Sequence, residues 1–133
     1  VETNRAMYLI AVLYKDARQD SNIIPAETAL EMATIQGAEA LGLDDEVGSL
    51  EVGKKADLVL YDTRNVEWQT LFNLVYNADG RSVHLVMVDG KIVVEDHKPL
   101  FVDEWALIQK VQGIGEDMLA RIGLSFPPRW PIV

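Results

Sequence analysis

The sequence predicts an α+β fold: two N-terminal helices, a small and mostly antiparallel sheet, and a C-terminal helix. Three observations carry that expectation. Apolar and small residues recur at helical spacing from Ala6 to Leu41. Two apolar runs, Val83–Val88 and Lys91–Val94, meet at Asp89-Gly90, and a helical pattern follows the capping residue Asp103. The segments divide at 1–43, 44–102 and 103–133.

The first helix is expected over Glu2–Gln19. Ala6 to Tyr14 is an unbroken apolar run, so this helix is apolar almost all round. Such a helix is normally buried on most sides. It is either an ordinary core helix or one that belongs between neighbours not all contained in this chain. The second helix is expected to open at Pro25, which suits the first helical position, with Glu27 meeting the positive end of the dipole. Ala26, Ala29, Leu30, Ala33, Gly37, Ala40 and Leu41 then form one stripe up to a left-handed stop at Gly42. Four of those positions, Ala29, Ala33, Gly37 and Ala40, are small enough to admit another backbone closely.

Beyond Leu43 the pattern changes. Asp44-Asp45-Glu46 reads as an acidic turn and Val47–Lys55 as a glycine-punctuated loop, with Lys54 and Lys55 solvated. That loop leads into a strand at Asp57–Asp62, and Trp68–Tyr76 reads as a short helix or irregular segment. Asp89-Gly90 is a strong signal for a type I′ hairpin turn. Leu58, Leu60, Val86, Val88, Ile92 and Val94 are expected to alternate onto one buried face. Pro99-Leu100-Phe101 extends or edges the sheet. Asp103 caps a helix running to about Arg121, and Phe126–Val133 is an extended tail.

Composition excludes several classes of function. At 133 residues, with 49% hydrophobic and 25% charged side chains, this is a globular composition. A net charge of -9 argues against nucleic acid or an acidic membrane surface as partner. The longest apolar run is far short of the ~20 residues a bilayer requires. Without cysteine there is no disulfide, thiol nucleophile or thiolate metal site, which fits a reducing, cytoplasmic setting. Val1 is not an initiator methionine, so upstream sequence is expected.

Several motifs imitate functional sites. Gly48–Lys55 nearly matches the phosphate-binding GxxxxGK[ST], but Lys55 replaces the magnesium-binding hydroxyl, Glu51 brings negative charge, and a strand follows where a helix should. Gln112-Gly113-Ile114-Gly115 looks like the hairpin of DNA-binding modules, yet Glu116 and Asp117 follow directly. His84 and His97 are the only histidines, one in a strand and one in a turn, and a catalytic metal wants three or so converging ligands. No residue is therefore assigned as catalytic, cofactor-binding or metal-ligating.

Three segments, in order, resemble the amidohydrolase superfamily, particularly its cytosine-deaminase-like and triazine or guanine aminohydrolase branch. They are Pro25–Thr34 running on to Gly37–Leu43, then Val47–Val59, then Val86–Val93. The middle one is the most specific. The resemblance implies a (β/α)8 barrel with a small β-sandwich assembled from both chain ends. Residues 1–43 would be terminal helices of the barrel, and 44–102 part of the sandwich. It also implies a zinc or iron ion, held by a His-x-His pair, further histidines and an aspartate just upstream of Val1. None of those positions lies in this chain. The metal-activated water that attacks a ring or amide carbon would thus belong to a parent enzyme that deaminates a nitrogen heterocycle, and this chain alone would be inactive. The partners implied are a small-molecule substrate for the parent and, through the helices of residues 2–42, a second copy of the chain. The competing reading is a stand-alone interaction module of the same fold, separable by the reading frame upstream of Val1.

Overall fold

In the computed structural model, residues 2–64, 71–126 and 130 are described. The chain forms two compact units, Val1–Leu100 and Phe101–Val133. Among the described residues, the first holds four α-helices, α1 (Thr3–Arg18), α2 (Ala26–Ala33), α3 (Ile35–Leu41) and α4 (Leu71–Tyr76). It also holds an antiparallel sheet of β1 (Leu58–Tyr61), β2 (Val83–Val88), β3 (Lys91–Glu95) and β4 (Lys98–Pro99), in that spatial order. The second holds α5 (Glu104–Ile122).

Helix α1 ends where Gln19 turns left-handed, its amide returning to the carbonyls of the last turn. It buries one narrow stripe, Asn4, Met7 and Ala11, at spacings of three and four. Met7 and Ala11 pack with Ala26 and Ala29 of α2 and Val75 of α4, bordered by Ile10, Ile24, Leu30 and Tyr76. This is the core of the first unit. Lys15 Nζ donates to the Tyr76 hydroxyl at 2.7 Å and closes its edge. The remaining apolar flank of α1, Tyr8, Leu9, Leu13 and Tyr14, stays exposed.

The single helix expected over residues 25–41 is two helices. Thr34 leaves helical geometry (φ -124, ψ -101) and serves both as the end of α2 and the start of α3. Its hydroxyl donates to the Leu30 carbonyl at 2.7 Å. Such back-bonding by a β-branched residue bends helices. The small-residue stripe is not one continuous buried face: Ala29 and Ala38 are buried while Ala33 and Ala40 are exposed. Pro25 sits one position earlier than expected, as the extended residue that precedes α2. Gly42 is the left-handed stop (φ 68).

In the sheet, Asp89 (φ 50) and Gly90 (φ 74) both adopt the left-handed conformation that a type I′ hairpin requires. The turn is also tied to the preceding loop. The Asp89 amide donates to the Asp57 carboxylate at 2.6 Å and the Gly90 amide to the Ala56 carbonyl at 3.1 Å. Two of the three segments that carry the family resemblance are therefore hydrogen-bonded to each other. A Cβ on Gly90 would meet nothing within 4 Å, so a substitution there is opposed by backbone conformation alone. Gly90→Val should destabilise the chain by about 1–3 kcal/mol. Urea denaturation reads this directly, and an unmoved midpoint would contradict the turn geometry.

The expected buried face of the sheet needs correction. Leu58 lies opposite Met87 and Leu60 opposite Leu85, whereas Val86 lies opposite Val59 and Val94. Leu58 and Leu60 therefore do not share a face with Val86. Val59 pairs with Val86 in the regular part of the β1–β2 ladder, so Leu58 and Leu60 fall on the other face, and the register shift between Val86 and Met87 separates Ile92 from Val94 in the same way. Apolar side chains consequently occupy both faces, and Leu60, Val88 and Ile92 are exposed.

Part of the expected segment 68–76 (residues 68–70) and most of the expected tail (127–129 and 131–133) lie outside the described residues.

Candidate functional site

The polar groups that could bear chemistry are mostly committed to local pairs. In the loop resembling a phosphate cradle, the Ser49 hydroxyl donates to the Glu51 carboxylate, and Lys54 Nζ donates to Ser49 Oγ at 2.6 Å and lies 3.3 Å from Glu51. The Ser49 hydroxyl, then Lys54, hold the Glu51 carboxyl below its ordinary range. Lys54 is thus largely buried and paired, not solvated as expected. Lys55 bridges to Glu46, which raises its ammonium above the ordinary lysine value. Gly48 leaves no cradle either. A Cβ there would stand 2.8 Å from Ala38 Cβ and 3.0 Å from Ile35 Cα. The glycine is present so that the loop can lie against the α2–α3 break, not so that phosphate can approach.

The Gln112–Gly115 glycines lie inside the continuous helix α5. A helix–hairpin–helix phosphate grip needs a turn at this point, and there is none.

The histidines are closer together than their sequence positions suggest. His84 is the unmatched residue of β2 where its pairing with β1 skips, and its Nδ1 lies 3.2 Å from Asp96 Oδ1. The His97 ring meets that of His84 edge-on with centroids 6.2 Å apart. Asp96 and His97 are both left-handed (φ 47 and 64), forming a second tight turn between β3 and β4. Sequence reasoning missed this juxtaposition, which follows from the β2–β3 register: Leu85 lies opposite Glu95, so His84 meets the turn at Asp96. Beside it, the Arg64 side chain and amide grip the Asp62 carboxylate at 2.8–3.0 Å. These bonds from Arg64, with a smaller effect of His84, hold Asp62 far below the ordinary carboxylate range. Asp62 is therefore a fixed anion and not a proton donor at neutral pH.

Near the start of α1, buried Asn4 accepts a hydrogen bond from the Tyr61 hydroxyl at 2.9 Å, tying β1 to the helix. Burial raises the Tyr61 phenol above its ordinary value, against the opposing effect of that bond. Asn4 Nδ2 is buried with no hydrogen-bond partner among the described residues.

Among the described residues, no three histidine, aspartate or glutamate side chains converge as metal ligands. His84 is engaged by a single carboxylate, and His97 presents its ring edge. That donor set does not fit a catalytic zinc site, which takes three protein ligands and keeps a position open. No helix among the described residues is long and apolar enough to cross a membrane.

Comparison with known proteins places this geometry in a family. The amidohydrolase family model matches residues 1–93. The chain is 36% identical over 132 residues to an S-triazine hydrolase from Gordonia rubripertincta, covering 93% of this chain and 28% of that protein. It is 42% identical over 100 residues to a 5′-deoxyadenosine deaminase from Methanobrevibacter smithii, covering 71% of this chain and 23% of that protein. Among solved structures, an adenosine deaminase from Xanthomonas campestris with bound zinc superposes with a TM-score of 0.83 at 32% identity, over 88% of this chain and 28% of the other. The chain belongs to the amidohydrolase family, and it spans about a quarter of the length of these relatives.

Proposed function

We propose that this chain is the C-terminal portion of a metal-dependent amidohydrolase whose whole protein deaminates a nitrogen heterocycle by hydrolysing a C–N bond. In this reading residues 1–43 are terminal helices of the (β/α)8 barrel and 44–102 are part of a composite β-sandwich. Residues 103–133 are the C-terminal helix and tail. The observation that carries it is the correspondence of the chain with about a quarter of an adenosine deaminase that holds zinc, at a TM-score of 0.83. Apolar residues on both sheet faces support it, since such a sheet expects cover on both sides. The exposed flank of α1 supports it in the same way. The similarity to hydrolases and deaminases does not favour a stand-alone interaction module.

The metal, zinc or iron, would be held by residues outside these 133, in a cytoplasmic enzyme. No step of the reaction falls to a residue of this chain. Its contribution is to close one side of the barrel and to complete the sandwich.

The test uses two proteins, the isolated chain and the product of the complete reading frame. The isolated chain should retain no stoichiometric zinc or iron after dialysis and release no ammonia from adenosine, guanine or triazine substrates. The complete protein should do both, with activity lost to a chelator and restored by metal. One tightly held metal on the isolated chain, with activity abolished by His84→Ala or His97→Ala, would overturn the assignment.

The exposed α1 flank also gives the isolated chain a reason to self-associate through the helices of residues 2–42. Apolar patches beyond a few hundred Å² usually find a partner. Leu9→Glu or Leu13→Glu should shift the sedimentation profile of the isolated chain toward monomer. A wild-type chain that sediments as monomer at ~100 μM would remove this expectation.

A further inference from the structure

Helix α5 has no buried residue, although more than a third of its positions carry large apolar side chains. Leu107, Val111, Ile114 and Met118 follow one another at spacings of four, three and four, and each is between 46% and 60% exposed. That is the seam of a two-stranded coiled coil. The spacing is also palindromic. Reversing the helix about the midpoint between Gln112 and Gly113 places Leu107 on Met118 and Val111 on Ile114.

The flanking residues fit the same arrangement. One step outside the apolar layers, Glu104 falls on Arg121. Along one side of the seam Lys110 neighbours Asp117 of the reversed helix, and along the other Ile108 neighbours Gly115. Each of these charges meets its opposite, and a bulky residue meets one without a side chain. A Cβ at Gly115 would meet nothing within 4 Å, so that position is open to an approaching helix. A parallel pair would instead set Glu104 on Glu104 and Arg121 on Arg121.

From this we infer that α5 is a homotypic docking surface, pairing antiparallel with α5 of a second copy of the chain. The occupant is selected by the two-fold charge pattern, because Glu104 and Arg121 lie ~25 Å apart along one helix and cannot pair within it. This surface lies on a different helix from the α1 flank.

The chain has no cysteine, so single cysteines report the register without interference. Leu107→Cys and Met118→Cys are made separately in the 133-residue chain, checked for native helix content by circular dichroism, and oxidised alone and mixed. In the inferred register, position 107 of one copy faces position 118 of the other. Two copies of the same variant hold their thiols ~16 Å apart along the axis, beyond disulfide reach. The mixture should therefore give the 107–118 heterodimer, and each protein alone should not crosslink. Crosslinking of either variant with itself in preference to the mixture, or no crosslink in any arm, would overturn the inference. An α1-mediated dimer predicts the latter result, and Leu9→Glu should leave the 107–118 crosslink unaffected. Charge reversal supplies a second readout. Arg121→Glu alone should weaken association about tenfold, and Glu104→Arg with Arg121→Glu should restore it. Failure of the double variant to recover would equally overturn the pairing.

Discussion

Gly48→Ala should lower the stability of the first unit by about 2–4 kcal/mol. Two independent effects act at this position. Gly48 has φ +94, a conformation that residues with a Cβ rarely adopt. The added methyl would also stand 2.8 Å from Ala38 Cβ and 3.0 Å from Ile35 Cα, closer than carbon atoms tolerate. Neither neighbour can swing away, since one is a methyl fixed to the backbone and the other is backbone. The loop must therefore lift off the α2–α3 break, and the Glu46–Lys55 main-chain bond of 2.8 Å lies in the segment that would have to move. Gly53 provides the control. Its φ of +99 is almost the same, but a Cβ there would meet nothing within 4 Å. Gly53→Ala thus reports the conformational part alone. Urea unfolding of both variants should show Gly48→Ala as the more damaging by ~1 kcal/mol or more. Equal midpoints would mean that the contact with Ala38 and Ile35 is not made.

That comparison also shows where sequence reading stopped. Gly48 was legible as a tight turn, but not as a packing position, because its neighbours lie on a helix break that the pattern did not signal. A seventeen-residue run of helix-compatible side chains gives no warning of the Thr34 hydroxyl turning back on Leu30. The Asp89-Gly90 hairpin was legible because a two-residue turn needs particular residues at particular places. The sheet face was not, because the apolar pattern does not say which residue of β1 pairs with which of β2, and a difference of one residue puts an apolar set on the other face. The site followed the same division. The phosphate-loop and DNA-hairpin likenesses were separable by charge and by what followed them. The approach of His84 to Asp96 and His97 depended on the β2–β3 register, which shifts by one residue between Val86 and Met87.

Met7→Ala should cost the isolated chain about 2–4 kcal/mol, while Leu13→Ala on the same helix should change its stability by less than about 0.5 kcal/mol. Met7 is buried among Ala11, Ala26, Ala29 and Val75, so truncation leaves a cavity lined by small residues that cannot collapse into it. In a unit whose total stability is of order 5–15 kcal/mol, that loss is a large fraction. Leu13 is 56% exposed and has little packing to lose. The contrast becomes diagnostic when the same substitutions are placed in the complete protein. If the barrel covers the exposed flank of α1, Leu13→Ala there removes a buried side chain, and its cost should rise to about 2–5 kcal/mol. Met7→Ala should cost about the same in both settings, because its neighbours come from this chain. Thermal or urea unfolding of the four variants, two in each protein, reads all of these differences. A Leu13→Ala effect that stays negligible in the complete protein would show that the flank faces solvent there too. The barrel assignment of residues 1–43 would then fail, while the core around Met7 would stand.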